Sequence, residues 1–245
     1  MKKLVTLFIA SLFITACTED KNEPSVPEDT SSHEIQVSLY SSPDVEVEMI
    51  GHDGQPAKTK LSYNRQVFVD LDAATETTNA DTVGYHWNDT QYTHFDLWET
   101  GKDVAEGSQG WDLVLAYYNG KTLDPSSGTE VPYMMTGGLI NKGEVKAIRL
   151  NKEEIEAEGQ IFVAYDNITY ADAIKLSLNE DVDAIGSDWK ALDFATFTFQ
   201  IVADQYYIIE SSDQKLYKLA FTGFYSDEDG TKGFPKFKFQ RLIAE

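Results

Sequence analysis

The octapeptide WDLVLAYY, residues 111–118, decides the fold. A strand sends successive side chains to opposite faces, so a strand with one wet face alternates apolar and polar residues. Leu113 to Tyr118 leave no wet face. The run therefore reads as a central strand, or one covered on both sides. Runs around it alternate instead. Ile35, Val37 and Leu39 are spaced by Gln36 and Ser38, and Val45, Val47 and Met49 by Glu46 and Glu48. Val67, Val69 and Leu71 follow, then Ala195, Phe197, Phe199 and Ile201, and Phe237 and Phe239. This is period two, apolar in and polar out. Turns are expected at Asp53-Gly54, Asn119-Gly120, Ser211-Ser212-Asp213 and Asp229-Gly230. Helix signals are few: Asn151 caps a short acidic segment ending at Glu158, and 170–178 is ambiguous. The fold class is mainly β, a single antiparallel β-rich domain with short helical inserts.

Residues 1–16 read as a signal peptide. Met1-Lys2-Lys3 is basic, and the apolar run from Leu4 to Thr15 is too short to span a bilayer. Ile14-Thr15-Ala16-Cys17 resembles the lipobox of bacterial lipoproteins. That resemblance implies cleavage before Cys17 and lipidation, palmitate included, at Cys17. Cys17 is the only cysteine, so no intramolecular disulfide forms. Residues 17–32 are acidic, polar and interrupted by proline, which reads as a disordered tether. Residues 33–245 form the β domain. The anchor points to the outer membrane, with surface exposure as the further step.

Lys and Arg total 20 and Asp and Glu 41, a net charge of -21. Such a surface repels phosphate backbones and argues against nucleic acid and anionic membranes. The four histidines form no metal-binding or catalytic pattern, and no nucleophile elbow, HExxH, phosphate loop or CxxC occurs. His86 and His94 read as surface or loop residues. The acidic run Ser226-Asp227-Glu228-Asp229-Gly230 reads as a hairpin turn, because Lys238 stands where a calcium loop needs its last carboxylate.

The stretch HFDLWETGKDVAEGSQGWDLVLAYYN, residues 94–119, resembles the HmuY family of haem-binding bacterial lipoproteins. Its family-like parts are Phe95-Asp96-Leu97, Thr100-Gly101-Lys102-Asp103-Val104 and Trp111-Asp112-Leu113-Val114-Leu115. Ile185-Gly186-Ser187-Asp188-Trp189-Lys190 resembles the family's linker, and the signature continues through Tyr206 to Tyr225, with Gln214 where glycine is usual. The resemblance implies an antiparallel β fold and no enzyme activity. It implies capture of haem, or a related tetrapyrrole, and its transfer to a TonB-dependent outer-membrane receptor.

Family members hold haem through two histidines or two methionines. No histidine follows His94, so a bis-histidine site does not carry over. Only Met134 and Met135 offer sulfur downstream of Trp111, which makes them the axial-ligand candidates. On a strand these neighbours face opposite ways, so at most one ligates while the other packs; the alternative is that both fill gaps in a β core. Gly137 and Gly138 permit a tight turn or a close approach to a flat ligand. Tyr133, Tyr165 and Tyr170 are possible pocket residues; Tyr165 and Tyr170 supply either a phenolate or a stacking ring. Lys121, Lys142, Lys146 and Arg149 are the cations available to propionates. No metal beyond haem iron is expected. The alternative is a lipoprotein that has lost haem ligation and binds a protein or glycan, with Trp87 and Trp98 as anchors.

Overall fold

A computed structural model describes residues 29–40, 45–61, 65–76, 85–87, 95–98 and 110–244. The signal peptide, Cys17, residues 18–28 of the tether, His94 and residues 100–104 lie outside the described residues. In chain order the strands are β1 (Ser32–Gln36), β2 (Val45–Ile50), β3 (Pro56–Leu61), β4 (Val67–Val69), β5 (Tyr85–Trp87), β6 (Leu113–Leu123), β7 (Glu130–Ile140), β8 (Lys146–Asn151), β9 (Lys190–Asp193), β10 (Thr198–Ile201), β11 (Gln205–Glu210), β12 (Leu216–Tyr225) and β13 (Lys232–Leu242). Among the described residues three short helices join them: α1 (Leu71–Glu76), α2 (Lys152–Ala157) and α3 (Tyr170–Ala173). The strands form a five-stranded sheet, β1-β13-β12-β11-β8, a four-stranded sheet, β5-β4-β6-β7, and two hairpins, β2-β3 and β9-β10. Every ladder between them is antiparallel.

The two-faced apolarity of β6 has a direct cause. Leu113 and Leu115 join Tyr207, Ile209, Leu219, Phe237 and Phe239 of the five-stranded sheet in the main core. Val114, Ala116 and Tyr118 face the other way, into a second core with Phe68, Phe95 and Trp111. Burying each large apolar side chain contributes roughly 1.5–3 kcal/mol, so the stretch of β6 that serves two cores is apolar on both faces. The outer face of the five-stranded sheet carries a third cluster. There Tyr206, Ile208 and Leu216 pack against Ile168 and Ala173, with Ile155 and Phe162 at its edge.

Asp112 ties these layers together. One carboxylate oxygen accepts the Leu71 N–H at 2.8 Å, and the other accepts the Ser212 N–H at 3.0 Å. Burial pushes its carboxyl up to about 6, against the pull of these two hydrogen bonds. The caps also follow the sequence. Asn151 accepts from the Glu154 N–H at the start of α2, and Thr169 with Asp172 builds a capping box at α3. The helix within 170–178 stops at Ala173.

Two expectations need correction. Asn119-Gly120 is no turn: both residues are buried inside β6, and the β6-β7 hairpin turns at 124–129. Asn119 spends its polarity inside the fold, donating from Nδ2 to Asp96 at 3.0 Å. The alternation from Ala195 to Ile201 also breaks, because β10 starts only at Thr198. Phe197 has φ 54° in a turn whose backbone is held by the Asp193 carboxylate, so Phe194 and Phe197 point to solvent. At the N-terminal end Gln240 Nε2 donates to the Thr30 carbonyl, and β1 starts at Ser32.

Candidate functional site

Met134 and Met135 lie on β7, opposite Asn119 and Tyr118 of β6 respectively. The pleat turns them to opposite faces, and both are half-buried. Met135 packs at the rim of the second core. Its Sδ accepts a hydrogen bond from Ser187 Oγ at 3.2 Å. Gly120 is what lets the thioether lie there, since a Cβ at that position would sit 2.7 Å from Sδ. The glycine that reads as a turn signal is thus a sulfur-packing residue.

Met135 borders a cavity of about 280 Å³. Tyr118, Gly120 and Lys121 of β6, Arg149 of β8 and the segment 183–188 line the rest. The cavity therefore lies where the two sheets part, with a sulfur and a lysine on one side and an arginine on the other. Tyr118 stays a neutral phenol: burial pushes it far up, and Asp183 and Asp188 add to this. The segment 182–188 is held by the edge of β7. Gly138 and Gly186 exchange two backbone hydrogen bonds of 2.9 Å, and Ile140 N–H donates to Val182 O at 2.8 Å. Gly137 faces the Gly186 backbone so closely that a Cβ would collide with it. Gly137 accommodates the Gly186 backbone, and Gly138 the Ile185 side chain.

Of the candidate cations, Lys121 and Arg149 border this cavity. Lys142 lines a separate one, and Lys146 is paired with Glu210 at 3.4 Å. The tyrosines divide as well. Tyr133 is largely exposed on β7. Tyr165 and Tyr170 lie with the third cluster and line no part of the Met135 cavity. Tyr165 meets Tyr206 edge-on at 5.8 Å and lies beneath Lys238 and Lys218 at 4.1 and 4.7 Å. Burial raises its phenol, so near neutrality it is a protonated ring rather than a phenolate.

A neighbouring cavity of about 380 Å³ lies beneath α2 and the 160–163 segment. It is lined largely by apolar residues such as Ile148, Leu150, Phe162 and Ile168, and Arg149 borders it too.

Sequence reasoning missed Lys190. It is buried, lies 4.2 Å from the Trp189 ring, and donates to the carbonyl of Thr136, the residue after Met135. Burial lowers its ammonium to about 7, with Asp188 opposing. Its position inside the linker-like run Ile185 to Lys190 is the one signal the sequence gives.

A model of the family described as HmuY protein matches residues 62–239. The chain belongs to the HmuY family. The match covers β4 to β13 except the last residues of β13, and so includes every wall of the Met135 cavity. Among solved structures, a Bacteroides fragilis protein named as a lipoprotein is 10% identical, with 90% of this chain and 94% of that chain covered and a TM-score of 0.43. A Bacteroides vulgatus protein named as HmuY-like and heme-binding is 14% identical, with coverage of 88% and 94% and a TM-score of 0.39. The apo form of a Tannerella forsythia HmuY analogue is 10% identical, with coverage of 89% and 98% and a TM-score of 0.35. Likenesses this distant carry no argument about the site; family membership rests on the sequence match. The comparison with curated proteins gives no match.

Proposed function

We propose that this HmuY-family chain is a lipid-anchored outer-membrane protein that captures haem, or a related tetrapyrrole, and passes it to a TonB-dependent receptor. Cys17 would carry the lipid. The protein acts by binding and release and not as an enzyme. The observation that carries the reading is the Met135 thioether, half-buried at a cavity bordered by Lys121, Arg149, Asp183 and Asp188. A thioether suits haem iron, favours its reduced state, and raises its potential. At about 280 Å³ the cavity is at the small end of ligand pockets, so it receives part of a macrocycle while the rest extends beyond it. Within the pair, Met135 is assigned the iron and Met134, on the opposite face beside Asn119, the packing role. The test is a haemin titration. A Soret band that shifts and saturates at one equivalent supports the reading. A band that stays that of free haemin at stoichiometric protein rejects it.

One observation favours a second reading. Phe194 and Phe197 are 77% and 76% exposed on a turn held by Asp193. Rigid exposed aromatics are the usual anchors of protein contacts. A chain that ignores haemin yet loses a protein or glycan ligand on Phe194→Ser would favour this one.

A further inference from the structure

Ser187 and Met135 are half-buried on the wall of one cavity, with Ser187 Oγ donating to Met135 Sδ at 3.2 Å. The contact is held from both sides. Gly186, just before Ser187, exchanges two backbone hydrogen bonds with Gly138 of β7. Three residues after Ser187, the buried Lys190 donates from Nζ to the Thr136 carbonyl, also on β7. Two glycines clear the space between. A Cβ on Gly137 would lie 3.1 Å from Ser187 Cα and would collide with the Gly186 carbonyl. A Cβ on Gly120 would lie 2.7 Å from Sδ. The hydroxyl and the sulfur are thus clamped against each other by backbone on both walls.

A hydroxyl has one proton to give, and a thioether is a weak acceptor. Asp183 and Asp188, far stronger acceptors, line the same cavity, yet the Ser187 proton goes to sulfur. A thioether sulfur carries two lone pairs. The hydroxyl engages one, which leaves the other for a soft metal. A hydrogen bond to a ligand atom orients that atom and draws electron density from it. Ferric iron, the harder ion, loses more by this than ferrous iron does.

We propose that Ser187 is a positioning residue for the Met135 sulfur: it fixes the thioether, leaves one lone pair for iron, and biases the site toward ferrous over ferric haem. This inference rests on the haem reading above, with Met135 as the iron's ligand, and names the residue that sets which oxidation state is held.

The test is the ratio of ferrous to ferric haem affinity, titrated anaerobically with and without dithionite, together with the midpoint potential of the bound haem. In Ser187→Ala the ratio should fall roughly two- to tenfold, the scale of one neutral hydrogen bond, and the potential should drop with it. Ser187→Thr should keep the ratio and Ser187→Val should lose it. Those two side chains share a shape and differ in the hydroxyl, so the comparison holds even if Ser187→Ala folds poorly. In a Met135→Ala background, Ser187→Ala should no longer shift the ratio. Equal ratios with and without the hydroxyl overturn the proposal and leave the haem reading standing. Equal weakening of both oxidation states does the same, since a residue that only shapes the cavity wall would act that way. A full shift that persists without the Met135 sulfur also overturns it. Failure of the unaltered chain to bind haem in either oxidation state overturns both readings.

Discussion

The cavity at Met135 and the cavity beneath α2 share Arg149 and little else. The first has a sulfur, two cations and a polar segment, 183–188, around it. The second is larger and lined mostly by apolar residues, with no sulfur among them. Volume and apolar surface would choose the second as a binding site. Donor chemistry chooses the first. On the proposed reading, the outer cluster with Tyr165 and Tyr170 supports the sheet, whereas the β6-β7 rim presents the sulfur.

The largest expected effect lies in the apolar cluster. Ile168 is buried and lines the apolar cavity. Ile168→Ala should cost about 2–4 kcal/mol in denaturant unfolding, yet leave the spectrum of bound haem unchanged. A changed haem spectrum would move the site to the outer face. Next comes Gly137→Ala, which forces a Cβ against the Gly186 backbone. It should cost about 1–3 kcal/mol and, by displacing 182–188 from β7, weaken haemin binding as well. Normal stability and normal binding together would show that the Gly137 contact does not hold the cavity wall.

Two buried ionisable groups make stability depend on pH. Lys190 titrates near 7 when folded and near 10.5 when exposed, so the unfolded chain holds more protons between these values. Stability should therefore rise with pH across that window, and Lys190→Met should flatten the rise. Asp112 behaves oppositely. Its folded value of about 6 lies above the ordinary 3.8, so the native state holds the extra proton. Its contribution is complete below about pH 4 and is lost as pH climbs through 6; Asp112→Asn should flatten that fall. Urea melts across pH 4–10 check both, and a pH profile unaltered in either variant contradicts the assignment. The smallest stability effect belongs to Met135→Leu, which conserves volume and should cost less than about 1.5 kcal/mol.

Much of the fold was legible because burial imposes periodicity. Ile35, Val37 and Leu39 are all buried as their spacing requires, and the two-faced run from Leu113 to Tyr118 does serve two cores. The misread places have a common cause. Gly120 and Gly137 carry a turn's residue type, yet each is a glycine because something else occupies the Cβ position: a sulfur at one, a backbone carbonyl at the other. Phe197 carries a strand's residue type at a positive φ, which pattern alone does not reveal. Within the site, the order of Met134 and Met135 on β7 predicts opposite faces. The partner Ser187, 52 residues on, and the separation of Tyr165 from the sulfur depend on tertiary placement that no local spacing encodes.

Whether Met135 ligates the iron is decided by comparing it with Met134. Haemin-loaded chain, Met134→Ala and Met135→Ala would each be reduced and their visible spectra compared. Met135→Ala should lose the bands of thioether-ligated ferrous haem, while Met134→Ala should keep them. Identical spectra for the chain and Met135→Ala, or loss of the bands in Met134→Ala alone, would contradict the assignment of the iron to Met135.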